Sequence, residues 1–359
     1  MSEIPFWRSR LVRADPTRGW EGGTWTSPPL AAGWAEGADQ AVASWNLDEG
    51  AVAAIGIRAH TVDGVWHDWQ ELAHWGAPGD RRSAPSDSPP IRQGTPRLDT
   101  DVLTADGVPF DAVQLRISLA AGDRAALRLV AVSFSAPAAS PPADERPLRT
   151  GAPTAPPGAD AVVPLSQRAH PAREDLGGGG PSWCAPTSLA MVLLAWGADI
   201  PRGGPGEASA EADPRVPHLA HAVYDAVYGG TGNWSFNAAV AGELGFDAVV
   251  TRLRSLQDAE ALTAAGFPLV ASISFAEGAL PGADYATAGH LLVLRGFDAK
   301  GDVQVADPAC PPLPSGRGDG LRTYPRAAFD AAWAHSRRTA WLIAPRGRAL
   351  PPGEDAGVW

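Results

Sequence analysis

Between Ala136 and Asp160 the chain is mostly Ala, Pro, Ser and Gly, with short charged patches such as Asp144-Glu145-Arg146. A segment of that composition cannot bury enough apolar surface to fold alone, and its prolines hold it extended. It reads as a linker. It divides 359 residues into two stretches, each long enough for its own core. The hydrophobic period changes across this break, and that change separates two fold types.

Before the break the period is two. Val113, Leu115, Ile117 and Leu119 alternate with Gln114, Arg116 and Ser118; Ile55, Ile57 and Ala59 alternate with Gly56, Arg58 and His60. Leu127, Leu129 and Ala131 repeat the theme. Alternation implies one buried and one wet face, as in antiparallel sheets, and Asp63-Gly64 and Asp106-Gly107 supply turns between the runs. Residues 1–135 are expected to form an all-β sandwich of jelly-roll type. The stretch holds Trp7, Trp20, Trp25, Trp34, Trp45, Trp66, Trp69 and Trp75. Polar neighbours make Trp66 and Trp69 candidates for stacking on the sugars of a glycan or cell-surface ligand. The competing reading is that the tryptophans fill a thin core between two sheets.

After the break the pattern is that of helices followed by a sheet. Within Trp183–Trp196, Leu189, Val192, Leu193 and Trp196 follow the spacing of a buried helix face. His218–Tyr228 and Phe236–Leu244 also read as helices. Ala248–Leu253, Leu269–Phe275, Leu291–Phe297 and Val303–Ala306 read as strands. The expectation is an α+β domain over 161–347, followed by a tail at 348–359.

A net charge of −11 argues against nucleic acid as the main partner, because a phosphate backbone calls for a basic face. No run approaches the roughly 18 apolar residues of a membrane span. Met1–Asp15 carry charges and no apolar stretch of a leader. A complete chain of this kind is expected in the cytoplasm; one whose leader was removed would be secreted or held in the cell envelope. Two cysteines, Cys184 and Cys310, make neither a disulfide framework nor a four-thiolate zinc site, although one bridge between them stays open.

Cys184 stands just before a helix, with Pro186 suited to its first turn. A thiol there feels the positive end of the helix dipole and unpaired N–H groups, which favour the nucleophilic thiolate. Most free cysteines are instead small buried hydrophobes. His290 opens the apolar run Leu291-Leu292-Val293-Leu294, and Gly289 before it allows close approach. A satisfied core histidine is the plain alternative. The turn Asp298-Ala299-Lys300-Gly301 folds the last two strand runs into a hairpin. That hairpin brings Asp307 within about two residues of lying opposite His290, a cross-strand offset that side chains can bridge. A carboxylate there can orient the imidazole and stabilise its cation, although Asp307 before Pro308 can also be only a turn residue.

Thiol on a helix, then imidazole and carboxylate on a sheet, is the order of papain-type hydrolases. Trp183-Cys184-Ala185-Pro186-Thr187-Ser188, Gly232-Asn233-Trp234-Ser235-Phe236-Asn237, Gly289-His290-Leu291-Leu292-Val293 and Ala306-Asp307-Pro308 resemble the C39-like peptidase family, a bacteriocin-processing-peptidase-like branch of papain-like folds. The resemblance spans about half the chain, from near residue 160 to near 345. It implies a papain-like α+β fold, a Cys184–His290–Asp307 triad, a peptide or protein substrate, and an oxyanion-hole glutamine upstream of the cysteine, for which Gln167 is the candidate. Two features depart from the pattern: Ala185 follows the cysteine where Gly is common, and the Gly177–Gly180 run lies between Gln167 and Cys184, so that it must loop out as a flexible active-site loop. Trp183, Asn233, Trp234 and Asn237 are candidates for positioning substrate, with core packing an equal reading of Trp234.

No cofactor is implied. The glycine run lacks the Lys-Ser/Thr ending of a phosphate loop. His218 and His221 lie three apart on a helix without a third ligand nearby, so a packing or solvated face fits them better than metal. Cys310, close to Asp307, has no assigned role. The expected activity is peptide or amide hydrolysis through a thioester. The competing readings are a cell-wall amidase or acyltransferase with the same triad, and a binding protein with a degenerate peptidase domain.

Overall fold

The computed structural model describes residues 6–85, 94–120, 123–139, 161–203, 212–313, 319–353 and 357–359. The N-terminal region is a sandwich of two antiparallel sheets. One runs in the order Phe6–Ala14, Leu127–Ala138, Gln40–Leu47, Val102–Thr104, Arg97–Asp99. The other is built round Phe110–Leu119 and Ala53–Thr61, which pair along their lengths, with shorter strands at both edges. The expected inner residues Ile55, Ile57, Val113, Leu115 and Ile117 are all in the core. The strand Leu127–Ala138 passes the expected domain limit by three residues, and most of the expected linker, 140–160, lies outside the described residues.

The wet outer face expected for the first sheet is absent along its middle strands. In Gln40–Leu47 every residue after Gln40 is buried, as are Leu127 and Val130 to Ala136 of the neighbouring strand. The C-terminal domain covers that face. Leu129 and Ala131, expected inside the sandwich, pack with that domain instead, while Val130, Val132 and Phe134 point into the sandwich core. An irregularity between Leu127 and Leu129 changes the register, and a one-residue step exchanges the faces of a strand.

The joint between domains is a core with a polar frame. Trp45 and Trp75 of the sandwich meet Phe236 edge to face, with centroids 6.1 and 5.3 Å away. Arg81, buried, places two N–H groups 2.9 and 2.7 Å from the Glu243 carboxylate, and Trp75 donates to the same group. Asn46 and Ser44 accept from the backbone of Ala248 and Val250. Buried Arg252 reaches Ser135 and Gln40. Buried polar atoms matched this way cost little, whereas any left unmatched would be expensive. The tail expected at 348–359 closes back on this joint: Val358 is buried, and its carbonyl accepts from Thr251.

The C-terminal domain has a six-stranded antiparallel sheet in the order Phe246–Arg252, Thr339–Pro345, Leu269–Phe275, Thr287–Phe297, Val303–Ala306, Leu321–Tyr324. Both faces are buried, Leu291 and Val293 in one cluster and Leu292 and Leu294 in the other, which is why that run is apolar without alternation. Helices Leu256–Ala264 and Arg326–Ala334 belong to the second cluster. Helix Cys184–Ala195 lies against strand Thr287–Phe297 and helix Arg215–Val223. Ala185 to Leu193 are all buried, so this helix is enclosed rather than one-faced as its spacing suggested.

Candidate active site

The hairpin behaves as its sequence requires. Val293 pairs with Ala306, so continuing the ladder sets Asp307 against Leu292, two residues from His290. His290 Nε2 lies 2.9 Å from Asp307 Oδ1. The other ring nitrogen is left for Cys184, whose thiol is under the influence of His290 and of the backbone N–H groups of Leu291 and Ala185. Ser188, one turn along the helix, donates to the Leu291 carbonyl at 3.0 Å and fixes helix against strand. Cys184 is the first residue of its helix, where the leading N–H groups have no partner within the helix.

Charge follows geometry. Burial alone would raise the Cys184 thiol, but the hydrogen bond and charge of His290 with the two backbone N–H groups bring it below the ordinary value. Burial alone would lower His290, but the charge and hydrogen bond of Asp307, joined by Cys184, raise it to about 10. Burial would raise Asp307, but His290, Tyr324 and the Ala309 N–H hold it below the usual carboxylate range. The arrangement shifts the pair toward thiolate and imidazolium relative to an isolated cysteine and histidine.

Asp307 is held by more than histidine. Ala309 N–H donates to Oδ1 at 2.9 Å, and the hydroxyls of Tyr285 and Tyr324 donate to Oδ2 at 2.8 and 2.7 Å. Tyr285 also sets its ring edge to face against His290, with centroids 5.3 Å apart. The sequence reading missed both tyrosines. Tyr324 ends a short edge strand and Tyr285 precedes the His290 strand, so neither adjoins a motif.

Cys184 and His290 line a cavity of about 1340 Å³, together with Gln167, His170, Tyr228, Asn233, Trp234, Tyr285 and Gly289. Gln167 is buried; its Nε2 donates to the Pro181 carbonyl at 3.0 Å, and its Oε1 has no partner. The glycine run between Gln167 and Cys184 is not a loose loop. Gly177, Gly178 and Gly179 all have positive φ, and a Cβ on Gly179 would stand 2.4 Å from the Pro171 carbonyl oxygen. The segment is a tight coil that admits no side chain there. His170, buried against Trp183 and kept neutral by that burial, lowered to about 4, was also missed.

Of the other candidates, Trp183 is fully buried and donates to the Leu176 carbonyl, so it packs behind the cavity and does not line it. Asn233 caps helix Trp234–Glu243 through Phe236 N–H and donates to Asp225 at 2.8 Å. Asn237 is buried and donates to the Thr231 and Asn233 carbonyls; it holds the loop and is not on the cavity wall. Trp66 and Trp69 do not line the cavity, and the Arg58 guanidinium sits 4.8 and 4.7 Å from their rings, with Arg116 4.6 Å from Trp69. Cys310 is a buried free thiol that burial and the charge of Asp307 push up to about 11. His218 and His221 lie on helix Arg215–Val223, and among the described residues no three His, Cys, Asp or Glu side chains converge on a metal position. Among those residues, too, no helix is long and apolar enough to cross a membrane.

This geometry meets an independent comparison. Residues 159–341, about half the chain, match the Peptidase_C39 like family. The chain belongs to the peptidase C39-like family. Residues 8–136 match the Peptidase C39 N-terminal domain, so the sandwich and the peptidase domain are each found in peptidases of this kind. A crystal structure of a candidate C39-like peptidase from Bacillus anthracis aligns with 52% of this chain and 97% of its own, at 18% identity and a TM-score of 0.33. No curated protein matches the sequence. Membership of the C39-like family implies a cysteine peptidase, a hydrolase of peptide bonds, in a bacterial two-domain chain.

Proposed function

We propose that this C39-like protein hydrolyses peptide bonds with Cys184 as nucleophile, His290 as proton carrier and Asp307 as the group that orients and charges His290. The observation that carries the reading is that Cys184 shares the wall of a peptide-sized cavity with His290, whose ring is hydrogen-bonded to Asp307. The thiolate attacks the scissile carbonyl carbon, and the carbonyl electrons move to oxygen. The oxyanion is stabilised by the Cys184 N–H at the helix start and by the second N–H of the Gln167 amide, whose first N–H is held by Pro181. The imidazolium gives its proton to the departing amine, which leaves a thioester on Cys184. Water, deprotonated by the neutral imidazole, then attacks the thioester and releases the acid and the thiolate.

The helix-borne thiol and sheet-borne imidazole and carboxylate support assignment to the papain-like α+β folds. A pooled peptide library incubated with wild-type protein and with Cys184→Ala, read by mass spectrometry, tests the activity. Cleavage by the first and none by the second is expected; equal patterns from both would remove the hydrolase reading. Glycan binding through Trp66 and Trp69 is a separate question, since both rings lie against Arg58 on the sandwich.

A further inference from the structure

The cavity is not made by the peptidase domain alone. Asp99, Thr100 and Asp101 of the sandwich line it together with Cys184 and His290. They form the tight turn between strands Arg97–Asp99 and Val102–Thr104, where Val102 pairs with Asp99. The turn is seated on the peptidase domain by Asp101, whose buried Oδ2 accepts from the Trp234 N–H at 2.6 Å and the Ser235 N–H at 3.2 Å. Those are the first N–H groups of helix Trp234–Glu243, where a carboxylate is favoured. Thr100 is held at φ 57, a left-handed conformation that a β-branched residue adopts only under constraint.

A second bond of the sandwich steadies another part of the rim. Arg337 and Arg338 both have positive φ, directly after His335 and Ser336, which line the cavity. Arg337 is gripped by Asp39 at 2.5 and 3.0 Å, by Ser135, and by the ring of Trp7 4.2 Å away. Gly177, Gly229, Gly230 and Gly232 give the intervening wall no side chains, and a Cβ on Gly177 would stand 2.7 Å from the Cα of Gly230. Asp99, Asp101 and Arg168 are the carboxylates and guanidinium on this lining. Asp101 is spent on the helix start. Asp99 is exposed and forms no ion pair among the described residues. Gln167 Oε1 and His170 Nδ1 are buried without a partner in residues of the same lining.

We propose that the sandwich supplies the specificity wall of this cleft: the turn seated by Asp101 presents Asp99 to a cationic side chain of an extended peptide. The proposal rests on reading the cavity as a peptide cleft, and its test needs no turnover. Full-length Cys184→Ala protein is titrated with fluorescent peptides that differ only by Lys or Glu at one position, moved along the sequence, and binding is read by anisotropy. At one position the lysine peptide is expected to bind about tenfold tighter than its glutamate twin, attraction and repulsion each contributing a few-fold at a partly wet surface. Adding Asp99→Asn halves that preference on a logarithmic scale, and Asp99→Lys abolishes or reverses it. Equal binding of the twins, no binding of any peptide, or a preference that survives Asp99→Lys would overturn the proposal. Peptides that bind the Cys184→Ala protein yet are left intact by wild type would instead defeat the hydrolase reading and leave the wall in place.

Discussion

Replacing Asp307 with Asn separates the orientation of His290 from its charge. The asparagine oxygen can take the Oδ1 position and still accept from His290 and Ala309, while its amide donates to the Tyr285 and Tyr324 hydroxyls, which turn to accept. What is lost is the negative charge 2.9 Å from the imidazole. At an effective dielectric near 20 a unit pair at that spacing is worth about 6 kcal/mol as an upper bound. The rise of His290 from 6.5 to about 10 corresponds to about 5 kcal/mol, net of the burial that opposes it and shared with the thiolate. With half to two-thirds of that owed to Asp307, the loss is about 3 kcal/mol, or about a hundredfold in rate. The assay is the rate of Cys184 alkylation by iodoacetamide between pH 5 and 10, resolved from Cys310 by peptide mass spectrometry, beside peptide turnover. In Asp307→Asn the thiolate inflection should move upward by about two pH units and turnover fall about a hundredfold, with circular dichroism unchanged. Alkylation and turnover within twofold of wild type, in a folded variant, would refute the assignment of charge stabilisation to Asp307.

Other outcomes follow from the same contacts. Tyr285→Phe and Tyr324→Phe each remove one hydrogen bond to a buried carboxylate, worth about 1.5–3 kcal/mol, and should each slow turnover about tenfold with a rise in the alkylation inflection; an unshifted inflection would make them packing residues only. Cys310→Ala should keep activity within about twofold, since a thiol pushed to about 11 is protonated at neutral pH; loss of activity in a folded variant contradicts this. Arg81→Ala leaves Glu243 buried without its cation and should cost about 3–5 kcal/mol, seen as a lower single calorimetric transition; two separate transitions in wild type would contradict a shared interdomain core. His290 has a folded-state value above its unfolded 6.5, so its contribution to stability is complete below pH 6.5 and lost as pH rises through about 10. Asp307 is depressed, so its contribution is complete above the unfolded 3.8 and lost as pH falls through its lower folded value. Melting temperature should therefore decline on the alkaline side from about 6.5, and His290→Gln should flatten that limb.

The parts of the site that were legible in the sequence are those with a local cause. The Asp298–Gly301 turn fixes which residues of its hairpin meet, so His290 and Asp307 could be paired from spacing alone. Cys184 could be placed by the proline that opens its helix. The parts that were not legible depend on the second domain. Ser44, Asn46 and Ser135 have the polarity of a solvated strand face, yet all are buried under the peptidase domain, because small polar side chains can bond a neighbour's backbone or guanidinium as readily as water. Leu129 and Ala131 fit the inner-face alternation, and only the register irregularity after Leu127 turns them outward. Asp101 caps a helix 133 residues away, so no cap signal surrounds it in the sequence. Trp66 is exposed and Trp69 half-buried, and both rings lie against Arg58, with Arg116 also at Trp69, a cross-strand arrangement that alternation alone does not specify.

The ionisation of Cys184 in the resting protein bears most directly on the whole account. Ultraviolet difference titration of wild type against Cys184→Ser reads the thiolate without a substrate or a reagent. Thiolate absorption that sets in below the range of an isolated thiol, and returns to that range when His290 is replaced by Ala, is the result the pairing of Cys184 with His290 requires. Absorption that first appears above about pH 8.5, the range of an isolated thiol, would mean that Cys184 and His290 share a cavity without sharing a proton.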